Sequence, residues 1–151
     1  MGNAPVLSAN QYVDPYCSGY CTVISNQAQM GFQHTHNYYE IFLVLEGQAV
    51  HLANTVAAPL QKGSMVLLRP EDEHCYLPPM SPDFRFLNLI VTEEVIQKVV
   101  GFLGEGFDSV LSSTGEYPRH CEITGNEFDR VLESLNTLML FPKGELDRYN
   151  T

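Results

Sequence analysis

The sequence predicts a mainly β domain, an antiparallel barrel or sandwich, followed by helices. Between residues 20 and 91, short apolar runs alternate with turn signals such as Glu46-Gly47 and Lys62-Gly63. This pattern is typical of antiparallel β structure. After Thr92 the apolar residues recur at helical spacing instead, which predicts helices packed beside the β part.

Length and charge limit the function classes. The 151 residues suit one domain with a sizeable core. The chain carries 18 acidic and 8 basic residues, a net charge of −10, and this charge repels a phosphate backbone. We therefore expect no direct contact between these residues and nucleic acid.

The ends of the sequence and its hydropathy favour a cytoplasmic protein that does not bind membranes. The first residues lack the basic start and apolar run of a signal peptide, and no apolar stretch reaches membrane-spanning length. In the cytoplasm cysteines stay reduced, so we expect free thiols. The cysteines are Cys17, Cys21, Cys75 and Cys121.

The chain divides into three predicted parts. Residues 1–19 contain prolines and polar residues, which indicate an extended arm. Residues 20–91 form the β-rich part, and residues 92–151 form a helical region for dimerisation or linkage. From Lys143 the pattern resembles the start of a further helix, so we expect the chain to continue into a longer polypeptide.

Two helices are predicted in the last part. Thr92 is a plausible N-cap for the first helix, which Gly104 ends. Thr124 and Glu127 form a capping-box pattern that opens the second, which ends before Pro142. The apolar stripe of this helix is either core or dimer interface and consists of Phe128, Val131, Leu132, Leu135, Leu138 and Met139.

The strand predicted over residues 38–45 is apolar on both faces, and a shorter strand is predicted over residues 30–36. Even-numbered residues continue the face of Glu40, and odd-numbered residues form the opposite face. Since both faces must be covered, one lines the barrel interior and the other needs a helix, the arm or a partner subunit.

Three histidines and one glutamate suggest a metal site. His34, His36 and Glu40 have the same parity, so their side chains leave one face if the segment is extended with a bulge near Asn37. His74 supplies a third imidazole. This ligand set suits a divalent transition metal such as zinc, iron, manganese or nickel. The alternative is a polar cluster that binds an effector or is hydrogen-bonded internally.

The same residues resemble the two motifs of the cupin superfamily. The likeness is carried by His34, His36, Glu40 and Gly47 in the first motif and by Gly63, Pro70 and His74 in the second. The resemblance implies a cupin-type antiparallel β-barrel, or jelly roll, with C-terminal α-helices, in which the three histidines and the glutamate are metal ligands. The sequence departs from the family pattern at Gly31 and Pro78, which bears on enzymatic activity more than on the fold.

A closer resemblance is to the N-terminal effector-binding domains of AraC-type transcription regulators. The phrase from His34 to Gly47, the Lys62-Gly63 turn and the loop that ends in His74 are similar to the pattern that recurs there. The resemblance covers roughly residues 25 to 140. It implies a homodimer that binds a small effector, possibly a carbohydrate, and contacts DNA only through a further C-terminal domain.

We therefore expect a ligand-sensing and dimerisation domain without catalytic residues. The alternative is a stand-alone metal-dependent cupin enzyme, a dioxygenase or isomerase, that uses the same four ligands. A third possibility is a cupin kept only for dimerisation.

Further polar and aromatic side chains have expected roles at or away from this site. Tyr38 and Tyr76 could offer aromatic faces to an effector. Arg69 could orient an anionic or hydroxylated ligand, or it could pair with Glu40 or a loop acid. We expect the two remaining histidines to be structural and surface residues; they are His51 and His120.

Overall fold

Ten strands and three α-helices form the described part of the protein. The computed structural model describes residues 4–13, 19–25, 31–112 and 115–139. The strands are β1 (Val6–Leu7), β2 (Gly19–Ile24), β3 (Thr35–His36), β4 (Tyr39–Glu46), β5 (Ala49–Ala53), β6 (Val56–Leu60), β7 (Ser64–Leu68), β8 (His74–Leu77), β9 (Arg85–Val91) and β10 (Arg119–Glu122). The helices are α1 (Glu93–Leu103), α2 (Glu105–Leu111) and α3 (Gly125–Met139), besides a 3-10 turn over Ala9–Gln11.

Two antiparallel sheets enclose the core. The larger has the strand order β10-β7-β4-β9-β2, and the smaller has the order β6-β5-β8. A bridge between His34 and His74 joins β8 to the segment that leads into β3, and β3 pairs with β1 in parallel. Side chains of both sheets, together with Phe84 from the loop before β9, form this core: Phe42, Val44, Ala49, Leu60, Val66, Leu68, Tyr76, Phe84 and Phe86. The predicted mainly β barrel with C-terminal helices is confirmed.

The two apolar faces of β4 have different partners. Phe42 and Val44 point into the barrel core. Leu43, on the opposite face, is fully buried and packs in a cluster with Phe128 and Leu135 of α3. Of the three covers that the sequence allowed for this face, a helix is therefore the one that covers Leu43.

The apolar stripe of α3 is core along most of its length. Phe128 and Leu135 are buried, and Val131 and Leu132 pack partly buried beside them. The last two members of the stripe, Leu138 and Met139, remain 46% and 39% exposed. The predicted end before residue 142 lies outside the described residues.

The starts of the helices follow the predicted signals. Helix α1 begins after Thr92 and ends at Gly104, whose φ of 84° suits glycine. Helix α3 begins directly after Thr124. None of the helices in the described residues has both the length and the apolarity that a membrane span requires.

The structure departs from the predicted boundaries at two strands. Of the strand predicted over residues 30–36, only Thr35–His36 forms, and residue 30 lies outside the described part. The unassigned region 105–123 forms α2 and β10, and β10 extends the larger sheet beside β7. The barrel therefore uses residues beyond the predicted boundary at 91. Because all four side chains of β10 are exposed, this strand has no apolar alternation in its sequence.

The structure describes part of the predicted arm and three of the four cysteines. Within residues 1–19 the structure contains β1, the 3-10 turn and the first residue of β2. Cys21, Cys75 and Cys121 are free thiols. Cys17 lies outside the described residues.

Candidate effector and metal-binding site

A cavity of about 470 Å³ lies between the barrel sheets and the N-terminal arm. Leu7 and Tyr12 contribute to its wall from the arm. Most of the lining is aromatic or aliphatic. Its polar members other than tyrosines are Thr22, His34, Glu40, His74 and Asn88. A largely apolar pocket with a few convergent polar groups is the usual form of a small-molecule site.

Three of the four predicted metal ligands converge in one group, called the floor here, of which Glu40 and His74 line the cavity. Donor atoms of His36, Glu40 and His74 all lie within 4.8 Å of one another, and the three side chains are buried. His34 does not belong to this group. Its ring centroid lies 4.4 Å from that of His74, and its Nδ1 is 2.9 Å from the carbonyl oxygen of Phe32.

The break between β3 and β4 places the first ligands. Asn37 and Tyr38 interrupt the extended chain where the sequence allowed a bulge. The Asn37 N–H donates to the carbonyl of Leu7 at 3.1 Å, and the Asn37 Oδ1 accepts from the Ala9 N–H at 2.7 Å. The interruption therefore ties the arm to the chain between His36 and Glu40.

Two imidazole nitrogens at the floor have no hydrogen-bond partner among the described residues. They are Nε2 of His36 and Nε2 of His74. The Nδ1–H of His36 donates to the Tyr38 carbonyl at 2.7 Å, so its Nε2 presents a bare lone pair. Nδ1 of His74 lies 3.1 Å from Nε2 of His51.

The hydroxyl of Tyr76 and Oδ1 of Asn88 are also buried without a partner in the described part. Both residues line the cavity. Buried polar atoms are nearly always hydrogen-bonded in folded proteins. Four unpartnered atoms around one floor therefore indicate a place for a ligand.

Burial disfavours the charged forms of the three ligand side chains. It lowers the pKa of His36 to about 4 and that of His74 well below its ordinary value. Burial raises the pKa of Glu40 to about 7, and a hydrogen bond from Asn88 offsets part of this rise. His36 Nε2 and Glu40 Oε2 lie 3.7 Å apart, yet the two groups are not charged over the same pH range.

The residues present fit a divalent transition metal ion. Neutral imidazoles and a carboxylate are the forms that bind metals, and a bound cation favours the ionised carboxylate. The two unpartnered Nε2 atoms and the Glu40 carboxylate supply three protein donors, a set that leaves coordination positions open.

The predicted effector contacts divide into two groups. Tyr38 and Tyr76 line the cavity. Arg69 is not among the lining residues, and its guanidinium pairs with Asp72 at 3.0 Å and with Glu71 at 3.3 Å. Arg69 therefore pairs with acidic residues of the loop ahead of His74, which is one of the alternatives that the sequence left open. It does not contribute to the cavity wall.

Sequence reasoning missed three contributors to the site. Asn88 is a polar residue within the apolar strand β9, and this interruption is the signal that could have identified it. His51, expected to be structural, is fully buried and contacts His74; its inward parity on β5 was the available signal. Tyr117 bonds His51 from a distant loop, and no sequence pattern indicates this. His120 is exposed, as predicted.

A small β-barrel with an arm-covered cavity and buried polar floor defines a ligand-binding domain. The chain belongs to the AraC-like ligand binding domain family, whose family model matches residues 19–145. The predicted family is therefore confirmed.

The comparisons with individual proteins agree with this family. The chain is similar to the HTH-type transcriptional activator RhaS of Yersinia pestis, with 28% identity over 114 residues that cover 75% of this chain and 40% of RhaS. RhaS of Yersinia pseudotuberculosis matches to the same extent. The chain thus spans less than half the length of the curated relatives that it matches.

Solved structures of ToxT from Vibrio cholerae share the fold. One has a TM-score of 0.52 and 16% identity, and the match covers 79% of this chain and 48% of ToxT. Another, of ToxT bound to (E)-4-(8-methylnaphthalen-1-yl)but-3-enoic acid, has a TM-score of 0.50 and 15% identity over 88% of this chain and 54% of ToxT.

Proposed function

We propose that this chain is the effector-sensing and dimerising domain of an AraC-type transcription regulator, which acts in the cytoplasm and whose effector binds in the cavity. The observation that carries the proposal is the set of four buried, unpartnered polar atoms around the floor. A buried donor or acceptor left without a partner costs about 1–3 kcal/mol. A bound molecule that pairs with these atoms would recover this free energy.

The lining favours an uncharged, hydroxylated effector, such as a carbohydrate. The carbonyl oxygen of Asn88 is an acceptor that an effector hydroxyl can satisfy, and the Tyr76 hydroxyl can pair with another. Tyr38 and Tyr76 add aromatic surface. Among the described residues, no lysine or arginine lines the cavity. A carboxylic acid like the one bound to ToxT would therefore find no cationic side chain among the described lining residues.

We further propose that His36, Glu40 and His74 hold a divalent transition metal ion. When bound, such an ion supplies a fixed positive charge that hydroxyl or carbonyl oxygens can coordinate. The residues of the chain would bind and orient the effector around it. The proposed role is sensing, and no residue is assigned a catalytic step.

The arm provides a route from effector binding to regulation. Leu7 and Tyr12 line the cavity, and the Thr35 N–H donates to the carbonyl of Pro5 at 3.0 Å. An effector that contacts the arm would stabilise its docked position. An effector acts through such a difference in affinity for two states.

For dimerisation we propose the exposed apolar surface of α1. Phe102 is 88% exposed and Leu103 54% exposed, and Val99 and the α2 residue Val110 are also exposed. Leu135 is not available for this contact because it is buried on the side of α3 that packs against the sheet.

Elemental analysis of the purified protein tests the metal. Wild type and His120→Ala, which changes an exposed histidine, should carry equal metal, and His36→Ala should carry little. Equally little metal in wild type and His36→Ala would overturn this part of the proposal.

A thermal-shift screen tests the effector class. Neutral sugars and the corresponding sugar acids are compared as matched pairs. We expect stabilisation by a neutral sugar that is lost in Asn88→Leu. Stabilisation by the acids alone would contradict the assignment.

A further inference from the structure

A hydrogen-bonded chain of three side chains leads from the cavity floor to the loop before β10. His51 lies in the middle of β5 and is fully buried. Its Nε2 is 3.1 Å from Nδ1 of His74, and its Nδ1 is 2.7 Å from the hydroxyl oxygen of Tyr117. The ring of His51 packs between those of Phe42 and Tyr76, with centroids 5.3 and 5.0 Å away. These ring contacts hold the His51 imidazole in place between its two hydrogen-bond partners.

The direction of these hydrogen bonds decides what His74 presents to the cavity. The two facing nitrogens of His51 and His74 share one hydrogen. If Nδ1 of His74 carries it, Nε2 of His74 is a bare lone pair. If Nε2 of His51 carries it, the hydrogen of a neutral His74 is on Nε2 and points at the cavity.

We propose that His51 and Tyr117 are positioning residues that set the tautomer of His74, and that Tyr117 links the occupancy of the site to the segment leading into α3. The inference rests on the proposed metal site. A metal ion on His74 requires a bare Nε2, so Nδ1–H donates to His51. The hydrogen of His51 is then on its own Nδ1, and that N–H donates to the oxygen of Tyr117.

In the opposite order, the Tyr117 hydroxyl donates to Nδ1 of His51, and Nε2–H of His51 donates to Nδ1 of His74. Conversion to the metal-binding order releases one proton from Nε2 of His74 to water in the cavity. One hydrogen moves from Nε2 of His51 to Nδ1 of His74, and another moves from the Tyr117 hydroxyl to Nδ1 of His51. Water then returns one proton to the half-buried Tyr117, so the chain gains no net charge. Tyr117 changes from donor to acceptor.

The position of Tyr117 connects this change to the helical region. Strand β10 begins two residues later and pairs with β7. Directly after β10, the Ile123 N–H donates to the carbonyl of Gly63 at 3.0 Å. Ile123 also packs with Phe128 at the start of α3. A rearrangement at Tyr117 therefore acts on the segment that carries α3.

Tyr117→Phe tests the inference because it removes the hydroxyl and keeps the ring. Tyr39→Phe is the matched control, since Tyr39 packs on the outer face against α1 and α2. Co²⁺ binding is measured by titration calorimetry. We expect binding about tenfold weaker in Tyr117→Phe, the lower end of the loss seen when the direct partner of a metal-binding histidine is removed, because Tyr117 acts on His74 through His51. The control should bind within about twofold of wild type.

Two measurements separate this inference from the proposed metal site. In metal-free protein, ¹⁵N NMR of the imidazole nitrogens should show an altered His74 tautomer ratio in Tyr117→Phe and an unaltered one in the control. Hydrogen exchange over residues 117–125 should slow when Co²⁺ is added to wild type but not to Tyr117→Phe. An unaltered tautomer ratio overturns the inference. Absence of Co²⁺ binding by wild type overturns the metal site and the linkage to α3, while the NMR measurement still decides the role of Tyr117 in positioning.

Discussion

Replacing Glu40 with glutamine should remove a pH-dependent loss of stability from the metal-free protein. Burial raises the pKa of Glu40 from 4.5 to about 7 in the folded state. Between these values the folded protein holds a proton that the unfolded chain has released, so the free energy of unfolding falls as pH rises. The difference between 4.5 and about 7, at about 1.4 kcal/mol for each pH unit, amounts to roughly 3 kcal/mol.

The buried histidines change stability in the opposite direction. Burial lowers the pKa of His36 to about 4 and that of His51 to about 3 from an ordinary 6.5. Below about pH 6.5 the unfolded chain therefore binds more protons at these residues, and stability rises with pH. The total profile contains both effects, and only the difference between wild type and Glu40→Gln isolates the glutamate.

Urea unfolding with a chelator measures this difference across the pH range from about 4.5 to about 8. The free energy of unfolding of wild type, minus that of Glu40→Gln, should fall by roughly 3 kcal/mol over this range. Glu133→Gln, a change at an exposed position of α3, is the control and should give a nearly constant difference. A difference for Glu40→Gln that varies by less than about 1 kcal/mol would refute the reasoning.

Two pairs of substitutions test the packing of the helices and of the turn at Gly63. Leu135→Ala should lower the free energy of unfolding in urea by about 2–4 kcal/mol because Leu135 is buried against the outer sheet face. Leu138→Ala, at a half-exposed position, should lower it by less than about 1 kcal/mol. Equal losses would contradict the packing of α3 through Leu135. Gly63→Ala should cost about 1–3 kcal/mol in the same assay, since Gly63 has a φ of 91° and a Cβ there would overlap the carbonyl oxygen of Ile123. Gly101→Ala, where nothing lies near the added carbon, should stabilise α1 by up to about 1 kcal/mol, and a loss of stability there would contradict this reasoning.

The sequence determined the main strands and the starts of α1 and α3 because their signals are local. Parity predicted that Glu40 and Phe42 share one face of β4, and the structure places both side chains on the inward face. The two helices start after Thr92 and Thr124, the positions that the capping patterns predicted. The sequence also showed which side chains could bind a metal ion, since histidine and glutamate are recognised as possible ligands from their type alone.

Tertiary structure decided which of these residues meet. The ring of His34 turns to the Phe32 carbonyl, so three donors converge instead of four. Arg69 pairs with Asp72 because the loop folds back on itself over three residues. In both cases the side chain has several chemically suitable partners, and the one it contacts depends on distance in the folded chain. The type of the side chain does not specify that distance.

The partner of His74 shows the same limit across a longer separation. Strand pairing aligns Ala53 with His74 and His51 with Tyr76, and this register brings the two histidines within 3.1 Å. Tyr117 reaches His51 from 66 residues away. Strand register and loop closure create these contacts, and neither has a counterpart in the periodicity of the sequence.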